Sequence, residues 1–103
     1  MALGESRNCI DYATLTVGST AVGLDSASPT LTNGATVKRA VITVETDQVR
    51  WRADGTSPTA SEGHLLEAGD VLNFLDANYE SVLGDLKFIR VTSDAKLKIS
   101  YFD

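Results

Sequence analysis

Histidine, cysteine and tryptophan each occur once, at His64, Cys9 and Trp51, so chemistry that needs one of these side chains has one place to happen. His64 would have to be the base of any Ser-His-Asp arrangement, yet no serine stands in a G-x-S-x-G context that would present it as a nucleophile. The plainer reading of His64 is a loop or strand-edge residue beside Leu65. A lone histidine cannot furnish a metal site built on paired histidines, and a lone cysteine supports neither an internal disulfide framework nor a multi-cysteine metal site. Asp54, Asp70, Asp76 and Asn78 are oxygen donors suited to calcium, but their spacing is not that of an EF-hand loop. Phosphate-cradling glycine motifs are absent. Trp51, Tyr79 and Tyr101 could offer stacking faces to a sugar. Trp51, however, alternates in phase with Val49, which assigns it to the core, where an aromatic of that size contributes most. The residues therefore point away from an enzyme, with no catalytic group, no cofactor and no metal expected.

The whole chain sets the same bounds. A length of 103 residues allows one domain, and 43% hydrophobic with 22% charged residues is the composition of a folded protein. A net charge of −5 argues against binding nucleic acid through phosphates. No basic start followed by a sustained apolar run opens the chain, and no stretch reaches membrane-spanning length, so neither export by the general secretory route nor a membrane partner is expected. Charge is segregated. Residues 53–85 carry seven acids and no Lys or Arg, whereas residues 37–52 and 86–103 each carry four bases against two acids. The plain reading is ordinary solvated surface; the sharper one is an acidic end that meets a basic partner or another copy of the chain.

The elements that would position these groups are strands. The centre of the chain is residues 40–75, where Val49 and Trp51 alternate with Arg50 and Arg52 and so place the apolar pair inward and both guanidinium groups outward. Asp54-Gly55, Ser57-Pro58-Thr59 and Gly69-Asp70 punctuate it with turns. Residues 1–12 show no periodicity and are expected to form an N-terminal arm ahead of a single domain over 13–103. Ala13, Leu15 and Val17 share one face of an opening strand, and Asn33-Gly34 marks a tight hairpin turn. Residues 37–46 form the longest strand, with Ala40, Ile42 and Val44 inward. Residues 64–66 and 71–75 supply two more short strands. Leu75, Tyr79, Val82 and Leu83 fall at helical spacing, with Gly84 placed to end the turn. Residues 86–92 are apolar on both faces, with Leu86 and Phe88 on one and Ile89 and Val91 on the other, as in a central strand or one whose outer face meets another protein. Ser93-Asp94 then turns the chain into a closing hairpin, where Leu97, Ile99 and Tyr101 face inward and Lys96 and Lys98 guard an exposed strand. Seven or eight short strands with such turns predict an all-β fold, a single small antiparallel β-sandwich of jelly-roll type.

The run VITVETDQVRWRADGTSPTASEGHLLEAGDVL, followed by FIRVT and a terminal KLKISYF, resembles small virion structural proteins of tailed bacteriophages. The likeness covers the last two-thirds of the chain, and its Asp-Gly, Pro-Thr and Gly-Asp pairs are turn residues. It implies a jelly-roll capsid cement, or decoration, protein. Such a protein is made in the host cytoplasm and sits on the outer surface of the virion as a homo-oligomer, dimer or trimer, bridging neighbouring subunits of the major capsid protein. In that setting the arm, through Met1, Ala2, Leu3, Glu5, Arg7 and Tyr12, is expected to clamp a neighbour, and Ile89 and Val91 to face another copy. A carbohydrate- or receptor-binding module of a tail or fibre is the alternative.

Overall fold

A computed structural model describes residues 8–24 and 37–103, which form eight strands and one short helix. The strands are β1 (Cys9–Val17), β2 (Val22–Gly23), β3 (Arg39–Glu45), β4 (Val49–Arg52), β5 (His64–Leu66), β6 (Val71–Phe74), β7 (Lys87–Arg90) and β8 (Ala95–Phe102), with helix α1 (Glu80–Asp85) between β6 and β7. The expected turn at Asn33-Gly34 and the arm residues Met1, Ala2, Leu3, Glu5 and Arg7 lie outside the described residues.

The strands make two antiparallel sheets, ordered β1-β8-β3-β6 and β2-β7-β4-β5. The pairing is nested: first strand with last, β2 with β7, β3 with β6, β4 with β5. One long antiparallel ribbon has thus rolled up until β8 also meets β3 and β7 meets β4. This is a jelly-roll sandwich, and it closes every inner strand on both sides.

Alternation dictates the core. Leu15 and Val17 of β1, Ala40, Ile42 and Val44 of β3, Val49 of β4, Phe88 of β7, and Leu97, Ile99 and Tyr101 of β8 are all buried between the sheets. Directly opposed residues share a face, so the register sets Leu15, Leu97 and Val44 in one inward row and Ala13, Ile99 and Ile42 in the next. Leu83 and Leu86, flanking the end of α1, close the side of the same core.

Three expectations are corrected. Cys9 to Tyr12 is not arm but the first half of β1, opposite Phe102, Tyr101 and Ser100. A register irregularity between Cys9 and Asp11 interrupts the two-residue period there, which is why the segment shows no alternation in sequence. Residues 86–102 do not form a hairpin either, since β7 and β8 belong to different sheets. The four residues between them, 91–94, span about 13 Å when extended. That is enough to cross the ~10 Å between packed sheets, and alternation reads the same whether the next strand lies beside or above. Lys96 and Lys98 consequently stand on the wet face of an inner strand, where Lys98 Nζ donates to Thr14 Oγ1 at 3.2 Å, and guard no edge. Finally, Gly84 lies inside α1, which ends at the extended residue Leu86; it starts where Asn78 Oδ1 accepts the Glu80 N–H at 2.9 Å.

The turns follow their chemistry. Gly69 takes φ 98°, which lets its N–H reach Val44 O at 2.7 Å while Asp70 Oδ2 accepts the Glu67 N–H at 2.7 Å. Thr46 adopts φ 83° between β3 and β4, a left-handed conformation that costs a β-branched residue about 1–2 kcal/mol.

Tyr101 gives the core a pH signature. The ring is 1% exposed, its Oη has no hydrogen-bond partner, and burial pushes the phenol up to about 12, with Asp11 opposite adding to the rise. The unfolded phenol titrates near its ordinary value of about 10. The folded chain therefore holds a proton that the unfolded chain has released, and stability intact below pH ~10 falls by about 2–3 kcal/mol as pH rises to ~12. The difference in urea midpoint between wild type and Tyr101→Phe should be constant up to about pH 10 and widen above it, with wild type losing stability relative to the variant. Parallel behaviour throughout would contradict this account.

Candidate functional site

The register brings five of the seven acids of residues 53–85 to one end of the sandwich and leaves Glu67 and Asp70, with Asp47 and Asp94, at the other. The end of β4 pairs with the start of β7, and the end of β8 with the starts of β1 and β3. Phe74, closing β6, packs edge-on against Trp51 with ring centroids 6.4 Å apart. The connections over residues 53–63 and 75–86 thus share one end, and they hold Asp54, Glu62, Asp76, Glu80 and Asp85. Among the described residues every Lys and Arg except Lys38 lies in a strand, so the segregation seen in sequence becomes acidic loops over basic sheets. The first described residue, Asn8, and the last, Asp103, meet at the same end. Asn8 N–H donates to Asp103 Oδ1 at 2.9 Å, Asp103 N–H returns to Asn8 O at 3.2 Å, and the buried Arg39 donates from Nη1 to Asp103 O at 2.5 Å.

The loop over residues 53–63 is the most constructed part of this end. Arg50, on the outer face of β4, donates from Nε to Ala60 O and from Nη1 to Gly63 O, each at 2.9 Å, and so clamps the loop at two points. Thr59 and Glu62 exchange backbone bonds of 2.9 and 3.2 Å around a two-residue tip, and Pro58 is buried beneath it. Arg52 forms an ion pair with Asp54, with Nε donating to Oδ1 at 3.0 Å. That hydrogen bond holds the Asp54 carboxyl below the ordinary carboxylate range and raises the Arg52 guanidinium. The loop borders an open cleft of about 420 Å³, lined also by Trp51 and His64, whose rings lie 4.7 Å apart.

Gly63 is the hinge of this construction. Its φ is 138°, and an added Cβ would lie 3.0 Å from Trp51 O and 3.2 Å from both Arg50 Cβ and Pro58 Cβ. Neither backbone nor proline ring can yield there. Gly63→Ala is expected to cost about 2–3 kcal/mol in urea unfolding and to shift Trp51 emission in the folded state; an unchanged midpoint would mean the loop is not held as described.

Other expected sites are dispersed. Tyr101 is in the core and leaves the sugar platform; Tyr79 packs on Phe74, centroids 5.1 Å apart, and donates its hydroxyl to Asp76, which raises the phenol above its ordinary value. Trp51 is half-buried, one side against the core and the other under His64. The four oxygen donors weighed for calcium are not brought together, since Asp70 lies at the opposite end of the sandwich, and among the described residues no three His, Cys, Asp or Glu side chains cluster. Of the expected interface set, Tyr12 is 58% exposed on the outer face of the β1-β8-β3-β6 sheet, whereas the half-buried Ile89 belongs to the outer face of the other sheet and Val91 to its rim. The fold therefore does not bring Tyr12 and Ile89 together. The loop clamp by Arg50 was missed, because the outward position of an arginine in sequence does not disclose that a loop returns over it.

No helix is long and apolar enough to cross a membrane among the described residues. Comparison with protein-family profiles, with curated proteins and with solved structures finds no match for the chain. What the fold and surface define is a small jelly-roll β-sandwich in which Asn8, Asp103 and the acidic loops over residues 53–63 and 75–86 share one end.

Proposed function

We propose that the protein is a non-catalytic structural component of a tailed-phage virion, a capsid cement protein. It is made in the host cytoplasm and bound to the outer surface of the shell as a homo-oligomer, where it bridges neighbouring subunits of the major capsid protein. The observation that carries this reading is the convergence of Asn8, Asp103 and the acidic loops over residues 53–63 and 75–86 on one end of the sandwich. The five carboxylates of the loops over residues 53–63 and 75–86 suit a basic, repetitive surface on which each copy makes modest contacts and the lattice multiplies them. Nucleic acid and membranes are poor partners for a chain of net charge −5. Purified protein should co-sediment with shells that lack it, saturating at a fixed ratio to shell subunits and weakening as salt rises. No co-sedimentation at low salt would overturn the proposal.

The cleft beside Trp51 and His64 favours a second reading, a carbohydrate- or receptor-binding module of a tail or fibre, with Asp54, Glu62 and Arg52 as polar contacts. Glycan titration followed by Trp51 fluorescence separates the two: a saturable shift supports the module, and a flat response disposes of it.

A further inference from the structure

Each sheet ends in edge strands, and three of the four are short: β2 has two residues, β5 three and β6 four. Shortness is a common protection against unwanted pairing. The fourth edge is different. β1 has nine residues, no Lys, Arg or Pro, and its one irregularity lies between Cys9 and Asp11, which leaves a regular ladder from Asp11 to Val17. Among the described residues only β8 pairs with it, so no described strand takes up the backbone donors and acceptors of its other side.

We propose that β1 is a self-association edge, pairing antiparallel with β1 of a second copy and joining the two four-stranded sheets into one continuous sheet. This rests on the homo-oligomer part of the reading above and not on shell binding. The register follows from Tyr12, whose N–H is taken by its neighbour's carboxylate, Asp11 Oδ1, at 2.9 Å. That amide therefore points away from β8, and with a two-residue period the amides of Thr14 and Thr16 point the same way. A two-fold axis through Thr14 lets Thr14 exchange both bonds with Thr14 of the second copy and sets Tyr12 opposite Thr16. All six side chains lie on the wet face, in aromatic and β-branched pairs that suit cross-strand contact. Beyond Thr16 stands Lys96, its neighbour on β8, so the 58%-exposed Tyr12 ring gains a cation within reach across the axis. Asp11, the one charge on β1, falls opposite Val17, and no like charges meet. Pairing of this kind is closed: among the described residues each copy has one long edge, so assembly stops at two and no fibre follows.

Sedimentation velocity over a range of concentrations tests this on the full chain. Wild type should pass from 11.0 kDa to twice that mass. Thr14→Pro removes an amide that β8 does not use, so the fold should survive while dimer dissociation rises roughly thirtyfold or more. The double variant Thr14→Lys, Thr16→Lys should do the same by charge, whereas Val71→Lys on the other edge of the sheet should not. With Cys9→Ser, Thr14→Cys should form a reducible cross-link between copies. Wild type that stays monomeric at high concentration, or folded Thr14→Pro and double-lysine variants that still dimerise, would overturn the proposal; shell binding by a monomeric protein would leave the cement reading standing without it.

Discussion

Phe88→Ala is expected to destabilise the protein by about 4 kcal/mol, lowering the thermal midpoint by roughly 20 °C. Phe88 is fully buried on β7, an inner strand held by β2 on one side and β4 on the other, where it stands opposite Val22 and Trp51. Truncation would open a cavity where the two sheets meet, and neighbours on an inner strand cannot collapse into it without breaking ladder bonds. A domain of this size is stable by only about 5–15 kcal/mol, so the variant should be close to the edge of folding. Ile89→Ala, one position along on the outer face, should cost only about 1 kcal/mol. Equal losses at the two positions in urea unfolding would mean that β7 is not sided as described.

The second large effect concerns the N-terminus. If the arm clamps a neighbour in the proposed shell, deleting residues 1–7 should weaken co-sedimentation with shells by about a hundredfold, because a contact repeated over a lattice is then lost at every copy. Deleting residues 1–12 should be different in kind. It also removes Cys9 to Tyr12 from β1, leaves Phe102, Tyr101 and Ser100 paired on the β3 side alone, and should cost several kcal/mol of stability. If the shorter deletion binds shells as well as wild type does, the arm has no part in anchoring.

Much of the fold was legible because burial has a period. Ala40, Ile42 and Val44, or Leu97, Ile99 and Tyr101, alternate cleanly, and their inward faces follow directly. Glycine and aspartate turns at Gly55 and Gly69 were equally readable from the positive φ they supply. Sheet membership was not. The step from β7 to β8 reads as a hairpin although it crosses between sheets, since period-two patterns carry the inward direction of a strand and not its lateral neighbour. The start of β1 was hidden by its irregularity near Cys9. For the candidate site, the segregation of acids was visible, but which of them meet Asn8 and Asp103 at one end, and that Glu67 and Asp70 go to the other, depends on register, which no local pattern encodes.

The number of copies of this chain per virion bears most directly on the central claim, and quantitative mass spectrometry of purified particles against the major shell protein measures it. The cement reading predicts copies on the order of hundreds, near a simple ratio to shell subunits, as repeated lattice contacts require. A handful of copies, or none, would contradict it.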